Sequence, residues 1–312
     1  DIRNIERFSK GPIFVLGDLR QPGPDYADRF LRAVRGVKEQ FIFEIFNPAS
    51  RDFLQKIAQA VPRFTLEISP ESHDEGIRTA FGRRYSNQAL EDTIAYALEA
   101  GCRRCDVFFM VGLPGQTYQS VLDTVAYCDH LLARFSRDGD TRVMPFISPL
   151  APFLDPGSQA FEEPEKHGYR LFYRTLEEHR QALVQPSWKY VLNYETQWMS
   201  RDEIVASTYE AGLRFNRIKA KYGLIAPSVA EATERRIRQA IRLSSQIDDI
   251  MSITDEKRRN KLLTALKPQV DRANLSTVCD KRELELPLGL VRLNLLRAAA
   301  IALGGLLFPS SR

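Results

Sequence analysis

Five short apolar runs in the first half of this 312-residue chain end in groups fit for ligand contact. Ile13–Gly17 leads into Gly17-Asp18-Leu19-Arg20, and Phe41–Phe46 into Asn47-Pro48. Phe64–Ser69 leads into Ser69-Pro70-Glu71-Ser72, Asp106–Val111 into Gly112-Leu113-Pro114-Gly115-Gln116-Thr117, and Arg142–Ile147 into Ser148-Pro149-Leu150. A carboxylate such as Asp18 or Glu71 accepts hydrogen bonds from a diol or an ammonium group, or moves a proton. Glycines beside such groups let backbone approach a flat ligand closely. The Gly112 to Thr117 stretch lacks the Lys-Ser/Thr ending of a phosphate loop. Ordinary turn chemistry is the competing reading for each run end taken singly.

The remaining candidate chemistry is thin. Cys102 and Cys105 form a lone CxxC, a pattern open to zinc or redox readings. It precedes the fourth run, on the rim opposite the loops just described, so a structural role is expected. Cys128 falls on an apolar helical stripe and Cys279 lies in a C-terminal loop. The four histidines, at 73, 130, 167 and 179, show no metal spacing. His73 follows Glu71-Ser72 and is read either as facing a substrate or as a plain loop residue. Trp188, Tyr190, Tyr194 and Trp198 cluster, as packing between domains or as a ligand contact.

The elements that must position these groups follow from periodicity. Helical patterns at 26–37, 51–61, 74–81, 87–100 and 119–135 separate the five runs, which read as strands. Such βα repeats form a parallel sheet, open or closed into a barrel, with sites at the C-terminal strand ends. After residue 150 the texture becomes helical, over 169–184, 201–222, 229–251 and 255–270, with a last pattern near 288–307. The expected division is a barrel-like part, 1–155, and a helical extension, 156–312. Four cysteines are too few for a disulfide scaffold and predict a reduced, cytoplasmic protein. No run of 18 apolar residues predicts a membrane span. A net charge of +4, from 44 basic and 40 acidic residues, gives no case for nucleic-acid binding.

The stretch from Leu66 to Thr117 resembles the radical S-adenosylmethionine (SAM) superfamily, especially its cobalamin-binding branch. LEISPESHDEGIR is similar to that family's fourth-strand pattern, and ALEAGCRRCDVFFMVGLPGQT to its fifth, with Gln116 replacing the common Glu. The resemblance covers about residues 10–160 and implies a partial (β/α)6 TIM-like barrel, strands two to six. It implies SAM cleavage at a [4Fe–4S] cluster or methyl transfer through cobalamin, on an unknown substrate. By position it implies that Gly17 and Asp18 hold the SAM amino group. Glu71 and Ser72 would reach the ribose or methionine moiety, Arg78 or Arg84 would pair with the carboxylate, and Val111, Gly112 and Leu113 backbone would line the adenine.

The sequence departs from that family at the cluster: no Cys-x3-Cys-x2-Cys occurs. One expectation is therefore the C-terminal portion of a longer enzyme, as Asp1 at the start indicates. Cluster and cobalamin segments would lie upstream of Asp1, and this segment would be inactive alone. The alternatives are a cluster-less barrel acting as a binding or scaffold protein, and an unrelated βα-barrel enzyme using Glu71 and Asp18 as acid and base.

Overall fold

The computed structural model describes Ile2, Asn4 and residues 9–149, 154–273 and 292–293. Leu150, Cys279 and nearly all of the pattern expected near 288–307 lie outside the described residues. The chain forms two compact units: the described residues of 1–68, 92–106 and 285–312, and those of 69–91 and 107–284. The change of texture near residue 155 falls inside the second.

All five expected strands form. With β1 at Ser9–Lys10, they are β2 (Ile13–Val15), β3 (Phe41–Ile45), β4 (Phe64–Glu71), β5 (Cys105–Val111) and β6 (Val143–Pro149), in one sheet of order β2-β3-β4-β5-β6. β2, β3 and β4 pair parallel, with Phe43 opposite Val15 and Leu66, and Glu44 opposite Glu67. Strand order equal to chain order is what successive right-handed βα units produce.

The strands carry two kinds of face. On β3 and β4, Phe41, Phe43, Ile45, Phe64, Leu66 and Ile68 are buried. They share the first unit's core with Leu54 and Ile57 of the helix Arg51–Ala60. Ser50 starts that helix by accepting from Phe53 N–H at 3.3 Å. On the opposite face of these two strands Glu44 and Glu67 face each other across the register and are half-buried, so these carboxylates point away from the apolar layer.

In the second unit, the helix Tyr118–Phe135 buries Val121, Val125, Cys128 and Leu132 of the stripe expected from periodicity, whose last member, Phe135, is half-buried. Thr117 and Ser120 close a capping box at its start. The helical half contains Arg201–Lys221, Pro227–Met251 and Glu256–Ala273, but the pattern over 169–184 is not one helix. Tyr169–Leu171 is a strand, β7, and the helix begins only at Leu176, where Thr175 and Glu178 form a second capping box. β7 pairs antiparallel with β8 (Tyr194–Thr196), Leu171 opposite Tyr194. Tertiary pairing outweighs the helical spacing of Tyr169, Tyr173 and Glu177 there. Arg292–Leu293, inside the last expected helix, forms β9 and pairs with β1.

Candidate functional site

In the second unit the C-terminal end of β4 is built around a buried guanidinium. Arg78 is 0% exposed. Its Nε and Nη2 donate to Ser72 O at 2.9 and 2.8 Å, and Nη1 donates to Tyr85 O at 2.9 Å. Nη2 also reaches Asn87 Oδ1, and the group lies 4.9 Å over the Tyr85 ring. Burial pulls the Arg78 pKa down. The carbonyl partners hold these donors, so Arg78 fixes the path of Ser72 and His73. Ser72 is 1% exposed, and its Oγ accepts from Asp74 N–H at 3.1 Å.

Glu71, the last residue of β4, has φ 67° and is 3% exposed. A β-carbon in the left-handed region costs about 1 kcal/mol, so the fold holds this carboxylate in place against local preference. Its Oε1 accepts from Arg83 Nη2 at 3.1 Å. Arg83 rather than Arg84 makes this pair; Arg84 is exposed. Nothing in sequence separates the two neighbouring arginines. His73 turns away from any strand-end site. Its Nδ1 lies 2.9 Å from Thr124 Oγ1 and its ring 6.2 Å from that of Tyr127, on the helix Tyr118–Phe135. Burial lowers its pKa. The reading of His73 as substrate-facing is corrected by this packing.

β5 ends at Val111, and Gly112 and Leu113 follow. Val111 and Leu113 are buried, and Gly112 has φ 94°. The Gln116 side chain closes the turn. Its Oε1 accepts from Gly112 N–H at 2.9 Å and Leu113 N–H at 3.0 Å, and its Nε2 donates to Met110 O at 2.8 Å. An amide has both the acceptor and the donor that this arrangement needs.

Gly112 also meets a residue from the helical half. A β-carbon added there would lie 2.5 Å from Tyr194 Oη. Tyr194 is 0% exposed and its ring packs edge-on against Tyr169, centroids 5.4 Å apart. Neither hydroxyl has a hydrogen-bond partner among the described residues. A buried hydroxyl left so costs about 1–3 kcal/mol. The phenol oxygen thus stands where a side chain at 112 would otherwise stand.

In the first unit, Gly17 N–H donates to Glu44 Oε2 at 2.7 Å. Asp18 is 4% exposed and committed to Arg20. Its Oδ1 accepts from Arg20 N–H and Nε at 2.9 and 2.8 Å, and its Oδ2 from Nη2 at 2.5 Å. Arg20 also donates to Asn47 O and Pro48 O, tying the two loops together. Burial raises the Asp18 carboxyl, but the Arg20 hydrogen bonds and charge outweigh it and hold it below the usual range. Deeper on the strands, Glu67 is pushed up to about 7, chiefly by burial and then by Asp106 and Glu44, with Arg104 opposing. Asp106 is pushed up to about 6 by burial, against its 2.6 Å pair with Arg104. Glu44, Glu67 and Asp106 were not singled out from sequence, although a carboxylate inside FIFEIF or FTLEIS breaks an apolar run and is a readable signal.

The described cysteines do not fit an iron cluster. Cys102, Cys105 and Cys128 are all buried, and burial pushes the Cys105 and Cys128 thiols well up, whereas cluster ligation needs thiolates. Cys102 Sγ donates to Arg104 O. Among the described residues no group of three or more His, Cys, Asp or Glu is arranged to hold a metal ion, and no helix is long and apolar enough to cross a membrane.

No curated protein matches the chain. A solved structure of coproporphyrinogen III oxidase (HemN) from Escherichia coli, described as a radical SAM enzyme, is similar at 12% identity and a TM-score of 0.34, covering 72% of this chain and 69% of that one. The family model described as Radical SAM superfamily matches residues 2–128, the stretch that carries Gly17, Asp18, Glu71, Ser72, Arg78, Arg84, Val111, Gly112 and Leu113.

Proposed function

We propose that this chain supplies the SAM-binding part of a cobalamin-dependent radical SAM enzyme acting on an unknown substrate. The family match over residues 2–128 supports the superfamily. The cobalamin branch rests on the LEISPES and VGLPGQT motifs. Cluster and cobalamin ligands would come from a segment preceding Asp1. The observation that carries the SAM reading is Glu71, a buried carboxylate held at φ 67° at the end of β4, the strand beside β5 in the sheet.

Each residue has a defined task. Glu71 accepts hydrogen bonds from the ribose diol, and Arg83 aims the carboxylate through its 3.1 Å pair. Gly112 and Leu113 present backbone to the base, their path fixed by Gln116. Arg78 holds Ser72 and His73 in place, so the carboxylate of the ligand falls to an exposed guanidinium, Arg84. When bound, SAM supplies a sulfonium centre whose carbon–sulfur bonds are the reactive ones.

Calorimetric titration of the chain with SAM tests this. One-to-one binding is expected, weakened about tenfold or more by Glu71→Ala, as loss of a charged hydrogen-bond partner costs about 1.5–3 kcal/mol. Absence of binding at millimolar SAM overturns the reading. Iron-independent turnover that Glu71→Ala abolishes would instead establish the acid–base barrel enzyme.

A further inference from the structure

Among the described residues, the buried Tyr194 hydroxyl beside Gly112 at the end of β5 has no hydrogen-bond partner. Main-chain N–H groups of Gly112 and Leu113 are taken by Gln116, so the backbone there has little left with which to tell one base from another. Tyr194 occupies the place where a residue-112 side chain would stand. It is anchored from behind, on β8, by the edge-on ring of Tyr169 on β7. A phenol both donates and accepts one hydrogen bond, and burial of both rings excludes water as a competitor at no cost in side-chain freedom on binding.

We infer that Tyr194 is a specificity-determining residue that reads the edge of the SAM base, with Tyr169 as its positioning residue. The inference rests on the SAM reading above and adds to it a residue outside the matched stretch 2–128, supplied by the β7–β8 ribbon. It gives the Tyr194 hydroxyl, which has no partner among the described residues, a group to bond. It also gives Gly112 a reason beyond its backbone angle, since any larger residue would fill the place the hydroxyl needs.

The test uses the whole chain, Tyr194→Phe and Tyr169→Phe, with SAM and its hypoxanthine counterpart, S-inosylmethionine, as probes. Thermal unfolding without ligand is measured alongside calorimetric binding. Phenylalanine removes only the hydroxyl, so Tyr194→Phe should leave the unfolding midpoint unchanged or raise it. It should weaken SAM about five- to tenfold, the worth of one hydrogen bond. It should also bring the SAM to S-inosylmethionine affinity ratio close to one, while Tyr169→Phe lowers SAM affinity less. Wild-type binding of SAM with an unchanged affinity and ratio in Tyr194→Phe overturns the inference and leaves the SAM reading standing. A lowered midpoint without ligand also overturns it, because the hydroxyl then has a structural partner. Failure of the wild-type chain to bind SAM overturns the underlying reading and this inference with it.

Discussion

Replacing Arg78 by Met separates a residue that builds the loop from one that touches the ligand. The family resemblance gives the SAM carboxylate to Arg78 or Arg84, whereas the donors of Arg78 meet Ser72 O, Tyr85 O and Asn87 Oδ1 in the structure. Met keeps much of the length and removes every donor. Two backbone carbonyls and one side-chain amide then lose their partners, at about 1–3 kcal/mol for each buried group left unsatisfied. Against this, the cost of burying the guanidinium disappears, which offsets part of the loss. The net expected destabilisation is about 3–5 kcal/mol, the range for breaking a buried charged network. The assay is urea unfolding followed by circular dichroism. With a slope of about 3 kcal/mol/M the midpoint should fall by about 1–1.7 M. Arg78→Lys should recover only a small part, because one ammonium cannot follow a planar fork. An unchanged midpoint in Arg78→Met, together with a tenfold loss of SAM affinity, would refute the argument and restore the carboxylate role.

Two further outcomes follow from the same geometry. Gly112→Ala should destabilise the chain by about 2–4 kcal/mol, since φ 94° disfavours a β-carbon and the new atom would lie 2.5 Å from Tyr194 Oη; Tyr194→Phe in the same chain should recover part of it, and additive losses in chemical unfolding would contradict the contact. Glu67 is pushed from an ordinary carboxyl value of 4.5 to about 7, so between those values the folded state binds the proton that the unfolded state has lost, and stability falls as pH rises through that window. Glu67→Gln should flatten this dependence and raise stability at pH 8 by about 1–2 kcal/mol, discounted for partial exposure; an unchanged pH profile would show that Glu67 titrates normally.

How legible the molecule was depended on how much sequence each feature spans. The strands β3 to β5 were readable because five to eight residues of apolar or alternating pattern are bounded by turn residues. The start of Asn87–Glu99 was equally plain: Ser86 Oγ accepts from Ala89 N–H, and Gly101 at φ 85° ends it. β7 and β8 were not readable, because three residues carry no decisive period and their pairing partner is distant in the chain. The GDLR and SPES loops were marked from sequence as strand ends, but which arginine serves which carboxylate was not. Arg20 folds back on Asp18, Arg83 meets Glu71, and Arg78 turns inward to backbone. Side-chain length lets an arginine reach many neighbours, and only the path of the loop selects one. Tyr194 carried an aromatic signal, yet its place at Gly112 depends on a strand, β8, that lies 82 residues downstream.

Hydrogen–deuterium exchange with and without SAM tests the central claim most directly, because it reads position as well as binding. The account predicts that SAM slows exchange in peptides covering 69–74 and 110–117 and in β8, and leaves 256–273 unchanged. Glu71→Ala should remove the effect at the same SAM concentration. Saturable SAM binding with protection confined to the helical segments, or no protection at any SAM concentration, would contradict it.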